Sequence, residues 1–166
     1  MNLDHYIMRN IVGAHSKVPI ELLHLETKSI PLNFFLASCR INYLHNIVNK
    51  PTNLLIRRVF EAQQKNPCKG DWCELVKEDM DMLNIDIDEE AMCGMSKAQF
   101  KSLVRKHVIS ATFTSLKTIQ LSHTKVRNIQ YPSFVLQPYF QSELFDHKEI
   151  SLLFNMRANT INGFKM

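Results

Sequence analysis

Lys97, Lys101 and Arg105 recur at intervals of four, the spacing that lines side chains up in one row along a helix. A row of three cations can track the phosphates of a nucleic acid, and Lys117, Lys125 and Arg127 carry the basic zone further along the chain. Such a row is also what an ordinary solvated helix face looks like. The surrounding charge adds weight to the phosphate reading beside that ordinary one, because residues 96–166 hold ten Lys/Arg against three Asp/Glu, a balance of +7. Acidic residues concentrate elsewhere, in Asp79-Met80-Asp81 and Asp86-Ile87-Asp88-Glu89-Glu90. Paired carboxylates can hold a divalent cation for phosphoryl chemistry, in which case Asp81 would be essential to a metal-dependent nuclease. The spacing here, however, shows local crowding rather than convergence from separate elements, and the glycine and closing glutamate of an EF-hand loop are missing. No metal site and no cofactor is expected.

Nucleophilic chemistry has fewer supports. Cys39, Cys68, Cys73 and Cys93 form no C-x-x-C pair and the seven histidines are scattered singly, so zinc is not indicated and a reducing compartment is. Cys73 falls near the start of a helix, where a thiol's pKa can be lowered, yet no histidine is near it in sequence. Three residues read as structural. Arg40 sits within an apolar helix and calls for a carboxylate or carbonyl partner. Asp71 reads as a helix cap, and Trp72, the one tryptophan, reads as an anchor that packs its turn onto the helical core. Arg57 and Arg58 read as a surface pair.

The elements that carry these residues are helical throughout. Residues 3–12 form a short helix stopped at Gly13, and Pro19 opens another through about Glu26. Pro31 opens the longest early segment, which runs to Lys50 and is closed by Pro51. On it, Leu32, Leu36, Cys39, Tyr43 and Ile47 form one apolar stripe and Phe34, Ala37, Ile41, Leu44 and Val48 form another on the opposite side. Such a helix is expected to be central, with neighbours on both sides. A helix over 53–65 stops at Asn66-Pro67. Capping-box patterns then start three more: Asp71 with Glu74, running to about Leu83; Ser96 with Gln99, running to about Leu116; and Asp146 with Glu149, running to about Asn159. Only residues 128–137 read as extended.

Composition agrees. Glycine occurs four times in 166 residues, where average usage of roughly 7% predicts about a dozen. None lies in a phosphate-binding pattern, which argues against nucleotide-binding α/β folds and turn-rich sandwiches. The formal charge of +4 is a cancellation: residues 1–65 carry +4, residues 66–95 carry −7, and the remainder +7. No apolar run is long enough to span a bilayer and no signal peptide is evident, so an intracellular location, nucleus or cytoplasm, is expected. The expected fold is therefore all-α: a compact multi-helix domain over residues 1–166, possibly divisible into 1–65 and 66–166, with a long central helix at about 31–50.

The order of short motifs adds a resemblance. Residues 38–47 (SCRINYLHNI), Glu61-Ala62-Gln63, residues 66–72 (NPCKGDW), Met95-Ser96-Lys97 with Phe100-Lys101, and Leu153-Phe154 with Arg157 resemble the region that follows the reverse transcriptase domain in polyproteins of animal non-LTR retrotransposons. The resemblance covers nearly the whole chain. Neither that family's catalytic Asp-Asp box nor its downstream Cys/His cluster is present. The resemblance therefore implies a helical thumb-and-linker segment, not an enzyme by itself, that contacts RNA or DNA through backbone phosphates and connects the polymerase portion of a retroelement protein with distal modules. Two alternatives stand beside it: a helical protein-interaction module that docks a partner through its acidic middle or apolar surface, and a decayed or partial copy with no maintained activity.

Overall fold

A computed structural model describes residues 3–124 and 126–158. Among the described residues there is no strand, and nine helices follow one another: α1 (Leu3–Val12), α2 (Ile20–Thr27), α3 (Leu32–Val48), α4 (Leu55–Lys65), α5 (Trp72–Met82), α6 (Glu89–Gly94), α7 (Lys97–Ser122), α8 (Pro138–Gln141) and α9 (His147–Arg157). The protein is all-α, and no helix among the described residues is long and apolar enough to cross a membrane. Packing divides the chain into two compact units. One is Leu32–Ala111; the other joins the described residues up to Pro31 with those from Thr112 onward. Helix α7 contributes its first part to the former and its remainder to the latter.

In the unit Leu32–Ala111, α3 is the central element and packs against α4, α5 and α6. Its buried face is Phe34, Ala37, Ile41, Leu44, Ile47 and Val48, joined in the core by Phe60, Val76, Leu83, Ile85, Met92, Phe100, Val104 and Val108. The second apolar stripe is not covered as expected. Ile47 is buried, but Leu32, Leu36 and Tyr43 are 48%, 43% and 47% exposed, and Cys39 is also exposed. The buried positions fall on one face, so α3 is central through one side only. Arg40, at the edge of that face, donates from Nε and Nη2 to both oxygens of Asp79, at 2.5 and 2.8 Å, and Asp79 is buried. Trp72 meets Tyr43 and Phe60 edge-on, with ring centroids 5.9 and 6.1 Å apart, and so ties the start of α5 to α3 and α4.

Helix starts follow their local chemistry. The Asp71 carboxylate accepts from Glu74 N (2.8 Å) and Cys68 N (3.0 Å), while Glu74 turns back to the backbone N–H of Gly70. Ser96 and Gln99 complete the reciprocal pair at the start of α7, as Asp146 and Glu149 do for α9.

In the other unit α1 packs against α2 and α9. Gly13 ends α1 at φ +66°, where its carbonyl accepts from Ser151 Oγ (2.7 Å) and Asn155 Nδ2 (3.1 Å) of α9. A Cβ there would lie 2.6 Å from Ser151 Oγ, so both conformation and space require glycine. Residues 128–137 are irregular turns rather than a strand. They are held from within, by Gln120 Nε2 donating to the carbonyls of Val126 and Ile129 and by Gln137 N donating to Glu26 O.

The most constrained polar cluster of this unit centres on Glu26, which is fully buried. Its Oε1 accepts from the Tyr131 hydroxyl and from Arg157 Nε (2.6 Å), and its Oε2 accepts from the Tyr139 hydroxyl. Arg157 also lies over the Tyr131 ring. Burial, and then the Glu26 carboxylate, push both tyrosines far above the ordinary phenol value. Burial would lower the Arg157 guanidinium, but Glu26 and Tyr131 together outweigh it and the net shift is upward.

Candidate nucleic-acid interface

The row of cations lies at the start of α7. The Ser96–Gln99 cap fixes that start, and the anchor beneath it is His45 of α3. His45 stacks on the Phe100 ring at 4.4 Å with 19° between planes and reaches the Met95 carbonyl from Nε2 at 3.1 Å. With Phe100, Val104 and Val108 buried on one face, Lys97, Lys101 and Arg105 are turned outward and exposed. At 1.5 Å per residue the three extend over about 12 Å of helix. None of them engages a carboxylate or a carbonyl among the described residues.

The first turn of α7 contains no acidic residue. The groups that cap it, Ser96 Oγ on Gln99 N and Gln99 Oε1 on Ser96 N, are neutral, so no negative charge offsets the positive end of the dipole beside Lys97. Placing cations there forgoes the few tenths of a kcal/mol that an acidic first turn supplies, and it adds to a field that attracts phosphate.

The other basic residues are placed differently. Lys117 is half-buried, its ammonium 3.5 Å from the Tyr131 carbonyl and 5.5 Å from the Phe113 ring centroid, so its charge is spent inside its own unit. Arg127 is exposed in the turn after α7. Lys125 lies outside the described residues. Lys106 is a further exposed cation, with no partner among the described residues, that the four-residue spacing passed over because it sits off the row. Arg57 is not a surface cation: its side chain is 13% exposed and pairs with Glu61 (2.8 Å) and Glu89 (2.9 Å).

Alternative chemistries find little geometry. Cys73 is not activated, since burial and then the Asp71 carboxylate push its thiol up; the capping carboxylate opposes the helix dipole that would have lowered it. Its Sγ faces Gln63 Oε1 at 3.6 Å. Asp79 is committed to Arg40, and among the described residues no three His, Cys, Asp or Glu side chains converge as a metal site. No family model matches the chain, and no curated protein and no solved structure matches it either.

Proposed function

We propose that the chain is a non-catalytic helical segment that binds RNA or DNA through backbone phosphates, the role implied by its likeness to the thumb-and-linker region of retrotransposon reverse transcriptases. The observation that carries this reading is the row Lys97, Lys101 and Arg105: three exposed cations at the start of α7, whose first turn holds no acidic residue, with no internal partner among the described residues. Cations with no internal partner are available to a ligand, and a 12 Å row covers roughly three to four nucleotides at 3.4 Å of axial rise. The contact is to phosphate, hence indifferent to sequence. The test is the affinity of the full chain for a labelled RNA or duplex DNA, with Lys97, Lys101 and Arg105 changed together to Glu. Binding falls at least tenfold in the variant; equal affinity refutes the assignment.

A second reading, a protein-interaction module, is favoured by one specific observation: the acidic middle of the chain lines a groove.

A further inference from the structure

In the unit Leu32–Ala111, α4, α5, α6 and the 84–88 segment enclose an open groove of about 720 Å³. Its floor is apolar, from Phe60, Val76, Met80, Ile85 and Met92. Its walls carry six carboxylates against one cation, Lys77. Four of the six are already engaged. Asp71 and Asp88 cap helices, Glu74 accepts from Gly70 N, and Glu89 holds Arg57 and Gln64. Asp81 and Asp86 are exposed, and among the described residues no donor reaches either carboxylate.

We infer that this groove docks a basic amphipathic segment of a partner protein, with aliphatic side chains on the floor and Lys or Arg on Asp81 and Asp86. Charge complementarity selects that occupant. A nucleic acid or an acidic peptide meets repulsion from the walls, a neutral apolar peptide leaves two carboxylates beside it without counter-charge, and a purely polar cation leaves the floor unfilled. Met80, half-buried, gives the floor a flexible thioether side chain, which adapts to a helical ligand's apolar face. The inference does not depend on the nucleic-acid reading, since the groove and the α7 row share no residue.

The test is fluorescence anisotropy of the full chain with two labelled synthetic peptides of equal charge, one with Leu and Lys at helical spacing and one with Ser in place of Leu. The Leu/Lys peptide binds saturably. Asp81→Lys with Asp86→Lys weakens it about tenfold, the result of replacing two exposed attractions by repulsions. Both positions are exposed, so the variant folds, as circular dichroism verifies. Met80→Gln weakens binding severalfold without altering charge. Unchanged affinity in the double variant, or equal affinity for the Ser/Lys peptide, overturns the proposal. So does a dimer of the chain that the double reversal abolishes, because that assigns the groove to a second copy.

Discussion

Removing the Glu26 carboxylate tests whether the buried cluster organises its unit. In Glu26→Ala, the Tyr131 hydroxyl, in a residue 2% exposed, loses its acceptor; an orphaned buried donor costs about 1–3 kcal/mol. The Tyr139 hydroxyl, less deeply placed, adds about 1 kcal/mol. Arg157 contributes little, because its side chain is 37% exposed and can turn to solvent. The vacated volume of a fully buried side chain adds a cavity cost, bringing the total to about 3–5 kcal/mol, a large part of a typical domain's stability. Glu26→Gln keeps the shape and loses the charge, so it costs less, about 1–3 kcal/mol. The assay is urea denaturation followed by far-UV circular dichroism, comparing midpoints at constant slope. A Glu26→Ala protein within about 0.5 kcal/mol of the parent refutes the reasoning.

Further expectations follow from the same unit. Tyr131 and Tyr139 have folded pKa values raised above the ordinary value of 10.0, so they stabilise fully below that pH, and stability falls as pH rises past it, by about 1.4 kcal/mol per pH unit for each. Absorbance titration should show Tyr131 and Tyr139 ionising only as the chain unfolds; their ionisation in the folded protein contradicts it. Gly13→Ala forces a Cβ onto Ser151 at a positive φ and should cost about 1–3 kcal/mol, read as a lowered thermal midpoint; an unchanged midpoint shows that α1 and α9 can part there without loss.

What the sequence displays is local. Capping pairs at Asp71, Ser96 and Asp146 announce helix starts because their chemistry is complete within four residues, and Gly13 announces an end for the same reason. Helix α7 runs past the expected Leu116 to Ser122 because Leu116 and the polar Gln120 are both buried on it, and a buried glutamine looks like a surface residue until its carbonyl partners are known. Helices α6 and α8, six and four residues long, are too short for periodicity to report. Glu26 shows no sign of its role, since Tyr131, Tyr139 and Arg157 lie 105, 113 and 131 residues away along the chain. The same holds for the cations. Spacing reveals the row at Lys97, Lys101 and Arg105, but only packing separates these free charges from Lys117 and Arg57, which are held internally.

The central claim is that free cations on α7 bind phosphate, and the salt dependence of binding tests it most directly. Each phosphate contact contributes a slope of about −0.9 for duplex DNA or −0.7 for single strands to log K against log salt. Three contacts on duplex DNA amount to roughly fortyfold in affinity between about 50 and 200 mM salt. Changing Lys97, Lys101 and Arg105 together to Gln should therefore make the slope shallower by about 2 on single-stranded RNA and about 3 on duplex DNA. A parent and variant with the same slope and the same affinity contradict the account.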